Sequence, residues 1–233
     1  MQRDHYGEHH RNISEGWIRA SIFGMSDGLV TNVSFILGFA GANPNHNVVR
    51  LAGLAALVAG SFSMGSGEYL SMRAQKELFE YEIDLERRAL AEYPDAERQE
   101  LRELFESRGS DHDLAERLSA DLMKDPDLAL RTHAREELGV DPSATGSPWA
   151  AAWSSSASFA VGAFVPLLPW LLSSHGNEIL WSIILAAVGS ASVGGAIGWF
   201  TKRGIVRWAM RQIVVTTLAA AVTFGIGRLV GVH

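Results

Sequence analysis

The chain has 233 residues, a formal net charge of −6 and no cysteine. The lack of cysteine excludes a disulfide framework, a thiolate zinc site and a cysteine nucleophile. Of the 26 acidic residues, 20 lie between residues 73 and 141, together with 11 of the 20 basic residues. The rest of the chain contains long runs without charge, so the sequence predicts one membrane part and one charged aqueous part.

Five segments are long and apolar enough to cross a bilayer, which requires about 20 mostly apolar residues. In chain order they are predicted at residues 17–42, 48–71, 150–172, 178–200 and 206–230. Tryptophans near the predicted ends fit an interfacial aromatic belt: Trp149, Trp153, Trp170, Trp181 and Trp199.

The polar tail before the first span contains three histidines, His5, His9 and His10. They are weak candidates for metal ligands, because histidines in polar tails of this kind are more often simply solvated.

The charged segment, residues 73–141, predicts helices. Apolar residues recur at close to helical spacing, and no Gly or Pro interrupts the run before Pro94. We therefore expect the second span to continue straight out of the bilayer as one helix. Further helices are predicted from Asp95 to a stop at Gly109, at residues 111–125, and from Pro126 to Gly139.

Together these segments predict an all-α protein, a five-span transmembrane bundle with an insertion of three to four helices between spans two and three. The expected divisions are a tail at 1–16, spans one and two at 17–72, the insertion at 73–141 and spans three to five at 142–233. Lys and Arg cluster before the first span and between the last two spans. The positive-inside rule then places the N-terminus and the insertion in the cytoplasm and the C-terminus outside, in a multi-pass protein of the cell (inner) membrane.

Two carboxylates lie inside segments that otherwise suit lipid. Asp27 is near the middle of the first span, and Glu68 is near the cytoplasmic end of the second, with Met64 one turn deeper. An ionisable residue in a span costs several kcal/mol and usually faces the bundle interior or an aqueous path. The alternatives are an interfacial Glu68, a structural Asp27 bonded to Ser or Asn, and a Met64 that only fills the core. A carboxylate combined with a thioether favours transition metals.

The insertion carries carboxylates and one imidazole at helical spacing: Glu82 with Glu86, Glu97 with Glu100, Glu103 with Glu106, and His133 with Glu137. Helical bundles that bind iron or manganese assemble inward-facing Glu and His ligands from neighbouring helices. Any single glutamate is more often part of a solvated helix with ion pairs. The Glu-x-x-His pattern of ferritin-like sites is missing, which argues against a complete site of that type.

Three stretches resemble the vacuolar iron transporter family: IFGMSDGLVTNVSFILGFAGA, AGSFSMGSGEYLSMRAQKE and PLLPW. The resemblance covers nearly the whole chain, including the insertion. It implies a homodimer that moves Fe²⁺ or Mn²⁺ out of the cytoplasm in exchange for protons, without an organic cofactor or a nucleic-acid partner. Asp27 and Met64 match residues of the family's path between the subunits, and Glu68 lies in the matching GEY motif. The implied cytoplasmic metal ligands are Glu86, Glu97, Glu100 and Glu137.

The insertion departs from the eukaryotic pattern of this family, which favours a prokaryotic-type member. His133 and Ala134 replace paired methionines, and Ala89 stands where a second glutamate is expected. Because imidazole remains a transition-metal donor, we count His133 among the metal ligands. Glu82 and Glu92 are candidates for additional ligands on the basis of proximity in sequence alone.

Two other functions have to be weighed against transport. A membrane-anchored metal sensor or store would use the insertion but would not need Asp27. A membrane enzyme of di-iron type would need histidine-rich motifs near the spans, where His46 and His175 are isolated. The sequence therefore predicts a transporter and not an enzyme.

Overall fold

A computed structural model describes residues 16–42, 45–136, 139, 146–173 and 176–231, with side chains described from Ala20 onward. The described residues form helices and no strand, which confirms the all-α prediction. The helices are α1 (Gly16–Ala42), α2 (His46–Glu92), α3 (Pro94–Ser107), α4 (His112–Leu122), α5 (Pro126–Glu136), α6 (Pro148–Leu172), α7 (Glu178–Phe200) and α8 (Ile205–Val230).

Five of these helices, α1, α2, α6, α7 and α8, are long and apolar enough to cross a membrane. The three short helices α3–α5 lie between the second and third of them, as the sequence predicted. Large apolar side chains cover the outer surfaces of the long helices, for example Phe62 at 78% exposure and Leu218 at 62%. An exposed apolar surface of this extent suits lipid and not water, so the chain is a multi-pass membrane protein.

The second long helix, α2, has 47 residues and continues past the apolar segment without a break. This confirms the predicted continuous helix. It ends at Glu92, and Pro94 opens α3 in the next turn. Proline suits the first turn of a helix because its missing N–H would have no partner there. The following helix, α4, is capped by Asp111, whose side chain accepts a hydrogen bond of 3.1 Å from the Leu114 N–H.

The chain divides into two compact units, residues 1–70 with 148–233 and residues 71–147. In the first unit α1 packs against α6, α7 and α8. The contact with α6 is a backbone contact, because a Cβ atom at Gly28 would lie 2.1 Å from the Phe159 carbonyl oxygen. The same holds for Gly162, where a Cβ atom would lie 2.2 Å from the Met25 carbonyl oxygen. Small residues of this kind allow helices to approach closely in lipid.

Two apolar clusters form the core of the first unit. One joins α1 to α7 and α8 through Leu29, Val33, Leu37, Ala186 and Ala220. The other joins α1 to α2 and α6 through Ile36, Ala40, Val49, Leu167 and Trp170. The Trp170 indole N–H also donates to the Ser182 hydroxyl at 2.9 Å, and that hydroxyl donates to the Pro166 carbonyl at 2.7 Å. These bonds tie α6 to α7 at the point where prolines interrupt the α6 backbone ladder.

In the second unit α3 packs against α4. Leu101 and Ala115 are buried between charged surfaces. Arg102 is half-buried and contacts Glu106 at 3.7 Å and Glu116 at 3.3 Å, so it links the two helices electrostatically. The small apolar core leaves much of this unit's stability to such contacts and to any further ligand that binds it.

Candidate metal centre

Three side chains from three helices meet in the second unit. Glu86 comes from α2, Glu97 from α3 and His133 from α5, and their potential ligand atoms all lie within 4.8 Å of one another. The His133 Nδ1 atom is 3.1 Å from a Glu86 carboxylate oxygen and 3.7 Å from a Glu97 carboxylate oxygen. The His133 side chain is fully buried, and the two glutamate side chains are 15% and 13% exposed. Three of the five predicted insertion ligands are therefore brought together.

Local sequence explains how these helices converge. The chain breaks between Glu86 and Glu97, where α2 ends and Pro94 begins α3, and both glutamates reach the same centre. The Asp125 side chain caps α5 by accepting from the N–H of Asp127 at 3.0 Å. Alanines at 129 and 134 are almost fully buried beside His133, and their small size lets α5 approach closely.

The donor set is one imidazole and two carboxylates, largely removed from solvent. Imidazole and carboxylate together suit Fe²⁺, Mn²⁺ and Zn²⁺. Two ionised carboxylates this close also repel each other, and a cation placed between them relieves that repulsion. The arrangement can therefore hold a divalent transition metal.

The other predicted ligands are placed differently. Glu92 and Glu100 are exposed and Glu82 is half-buried, and within the described part of the chain none of the three belongs to the group around His133. Glu137 and the N-terminal residues His5, His9 and His10 lie outside the described residues. Their roles as ligands stay predictions.

The predicted path residues belong to the first unit. Asp27 is half-buried in α1, and the Thr31 hydroxyl donates to one of its carboxylate oxygens at 3.2 Å. Met64 and Glu68 are half-buried one turn apart on α2. Between them Gly65 is buried, and a Cβ atom there would lie 3.0 Å from the Ser156 side chain of α6. This part of α2 therefore rests closely against α6 while Met64 and Glu68 keep partial access.

A chain of polar contacts in the first unit was not expected from the sequence. The Gln212 side-chain amide donates to the Ser26 hydroxyl at 2.6 Å. One turn along α8, the Thr216 hydroxyl donates to the Gln212 carbonyl at 2.9 Å and lies 2.8 Å from the Ser190 hydroxyl of α7. The contacts join α1, α8 and α7 beside Asp27. Polar residues at positions 212 and 216, one turn apart in an apolar span, are the sequence signal that could have revealed it.

Comparison with known proteins agrees with this architecture. The model of the VIT family matches residues 18–228. Vacuolar iron transporter 1 of Arabidopsis thaliana is 29% identical over 229 residues, covering 97% of this chain and 91% of the relative. The vacuolar iron transporter of Acanthamoeba castellanii is 34% identical over 232 residues, covering 96% of this chain and 83% of the relative. Vacuolar iron transporter 1 of Eucalyptus grandis is 28% identical over 229 residues, with coverages of 97% and 91%. The chain therefore belongs to the VIT family, a family of transporters and not of enzymes.

Proposed function

We propose that this protein moves Fe²⁺, Mn²⁺ or both out of the cytoplasm, in exchange for protons. The observation that carries the proposal is the buried group of Glu86, Glu97 and His133, found in a member of a family whose relatives are named iron transporters. Its ligand set favours divalent transition metals over the hard alkaline-earth ions, which prefer oxygen ligands alone. Replacement of the paired methionines by His133 and Ala134 supports a prokaryotic-type member.

In this proposal the insertion gathers metal on the cytoplasmic side. The 20 carboxylates between residues 73 and 141 outnumber the 11 basic residues, so the segment carries a negative field that attracts dications. Glu86, Glu97 and His133 form the centre of the site. Glu100, one turn from Glu97, and Glu137, four positions after His133 in the sequence, supply additional ligands when metal binds.

The metal then passes along Glu68, Met64 and Asp27. Among the described residues, Asp27 receives one side-chain hydrogen bond, from Thr31, and an ionised carboxylate offers about four lone-pair positions. Asp27 therefore retains the capacity to contact a passing ion. A dication and a proton compete for the same carboxylate, so metal arrival releases a proton and protonation from the outer side releases metal.

The path is completed by a second copy of the chain. The side of α2 that turns away from α6 carries a row of exposed apolar residues at helical spacing, namely Leu51, Leu54, Val58 and Phe62. Only 11% of the apolar window of α2 is buried, the lowest fraction among the five described spans. We propose that this face packs against its counterpart in a homodimer, with Met64 and Glu68 near the shared surface. The N-terminus and the insertion face the cytoplasm of a cell-membrane protein, and the C-terminus faces outward.

The test is metal flux into liposomes under an imposed pH gradient, with the purified full-length chain and Fe²⁺ or Mn²⁺. Asp27→Asn keeps the side-chain shape and an oxygen that can accept from Thr31, and we expect it to reduce flux to the level of protein-free liposomes. Thr31→Val removes the hydrogen bond but keeps the carboxylate, and we expect it to retain flux.

Loss of flux in both variants would show that Asp27 acts through its bond to Thr31 and not on the ion. Full flux in Asp27→Asn would remove the residue from the path. Metal binding by the wild type without any flux, with or without a pH gradient, would instead identify a membrane-anchored sensor or store.

A further inference from the structure

The end of the membrane unit at which α7 meets α8 carries a line of arginines. Arg203 lies in the connection between the two helices, and Arg207 and Arg211 follow at intervals of four residues on α8. Four residues are close to one helical turn, so Arg207 and Arg211 lie on one side of α8, and Arg203 in the connection lines the same groove. They line a groove of about 640 Å³ whose remaining walls are formed by Trp208, Met210, Val214 and Val215.

These arginines have no carboxylate partner among the described residues. Five arginines of the insertion behave differently, since each contacts a carboxylate: Arg73, Arg87, Arg98, Arg102 and Arg108. The sequence offers little local counter-charge either. Glu178 is the only acidic residue between positions 142 and 233, and it lies at the opposite end of α7. Within the described residues, the positive charge of the groove is therefore not balanced by a carboxylate, and an anion from outside the protein can balance it.

The groove joins this charge to an apolar track. Val214 and Val215 follow Arg211 by three and four positions and are each 50% exposed, and Leu218 and Val222 continue the same side of α8 at 62% and 60% exposure. The Arg211 guanidinium lies 5.2 Å from the centre of the Trp208 ring, a cation–π contact that holds one of the three arginines in place. Charge at the end of a spanning helix with apolar surface below it matches the two parts of a phospholipid.

We propose that Arg203, Arg207 and Arg211 bind the phosphate headgroup of an anionic phospholipid, with its acyl chains along the exposed apolar side of α8. Guanidinium groups recognise phosphate through paired hydrogen bonds, which favours arginine over lysine at such a site. The positive-inside rule explains basic residues in this connection but does not require their alignment at four-residue intervals. Lys202 lies in the same connection, yet it does not line this groove; it lines a neighbouring pocket with Trp199 and Ile205, to which Arg207 also contributes. It therefore provides a built-in control.

The experiment measures lipid binding by the full-length chain in neutral detergent, by native mass spectrometry and by thermal shift. The probes are phosphatidylglycerol, phosphatidylcholine and inorganic phosphate. We expect the wild type to retain phosphatidylglycerol in preference to phosphatidylcholine. Since each basic residue near an anionic surface contributes about a fivefold gain in binding, the double variant Arg207→Gln with Arg211→Gln should bind phosphatidylglycerol about twenty-five-fold more weakly. Arg50 is exposed near the start of α2 and does not line the groove. The double variant Lys202→Gln with Arg50→Gln removes the same amount of charge outside the groove and should retain binding.

Each outcome decides the proposal. Equal loss in the control double variant would show general surface charge and overturn the assigned site. A thermal shift with inorganic phosphate as large as that with phosphatidylglycerol would assign the site to free anions instead. No preference between the two lipids in the wild type would also overturn it. The single variants Arg207→Gln and Arg211→Gln, each expected to weaken binding about fivefold, provide the test if the double variant does not fold.

Discussion

Replacing Glu97 by Gln should change the stability of the insertion in opposite directions with and without metal. The carboxylates of Glu86 and Glu97 belong to one group whose ligand atoms all lie within 4.8 Å. At that separation and an effective dielectric constant of about 20, two unit charges repel by about 3 kcal/mol. Both side chains keep some solvent contact, 15% and 13%, so screening reduces the effect. We expect removal of one charge to stabilise the metal-free insertion by about 1 to 2 kcal/mol.

Glu97 is the better position for this test than Glu86. Its contact with the His133 Nδ1 atom is 3.7 Å, too long for a hydrogen bond, whereas the Glu86 contact of 3.1 Å is within that range. Glu97→Gln therefore removes charge with little loss of direct bonding to His133. When metal is bound, Glu97→Gln should lower the stability of the insertion relative to the wild type, because the two carboxylates that repel each other without metal become its ligands. At a metal concentration one hundred times the dissociation constant, the wild type gains about 2.7 kcal/mol, and the variant loses most of that gain.

The assay is amide hydrogen exchange of helices α3 and α5 in the full-length protein at pH 8, with and without Mn²⁺. Without metal, Glu97→Gln should slow exchange about five- to thirty-fold relative to the wild type. With metal, the wild type should be the better protected of the two. The matched control is Glu103→Gln on the same helix, whose carboxylate is 59% exposed and outside the group. Faster metal-free exchange in Glu97→Gln than in Glu103→Gln, or equal Mn²⁺ protection of Glu97→Gln and the wild type, would refute the reasoning.

Two further substitutions test the packing of the membrane unit. Gly28→Ala places a methyl group 2.1 Å from the Phe159 carbonyl oxygen, so α1 and α6 must separate by at least about 0.9 Å, and we expect destabilisation of about 3 kcal/mol. Gly225→Ala on α8, with no atom within 4 Å of the added methyl, is its control and should be neutral or slightly stabilising in a thermal or denaturant series. Ser190→Ala removes the buried contact with Thr216 and should cost about 0.6 kcal/mol in the same assay, and a loss above 2 kcal/mol would indicate a larger role for that polar chain.

The sequence predicted the helices well because their signals are local. Apolar length alone located the five spans, and the absence of a breaker before Pro94 predicted that α2 runs on to Glu92. Pro94 and Pro126 begin α3 and α5, and each breaks the preceding helix because proline lacks the backbone N–H that a helix interior needs. Each of these features depends on residues within a few positions along the sequence, so contacts between distant parts of the chain have little effect on them.

The membership of the candidate site was harder to predict, because it depends on contacts between helices. Periodicity alone did not distinguish among six glutamates that lie on helices at similar spacing: Glu82, Glu86, Glu97, Glu100, Glu103 and Glu106. Helix packing distinguishes these candidates: the Glu97 side chain is 13% exposed and lies beside His133, whereas Glu100 is on the exposed surface. The polar chain through Gln212 joins α8 to α1 across 186 positions of sequence, and nothing local specifies which helix receives that side chain.

The two proposed sites differ in strength, and this difference bears on how transport is driven. The proposed site in the insertion offers two carboxylates and a fully buried imidazole within 4.8 Å, whereas Asp27 offers a single half-buried carboxylate. In the proposed path, an ion that leaves the insertion for Asp27 would therefore move from the larger to the smaller set of ligands. Transport requires sites weak enough to release their ion, and the uphill step needs a separate source of free energy. Competition between proton and metal at Asp27 can supply it, which is why the pH-gradient arm of the flux experiment is as informative as the substitution itself.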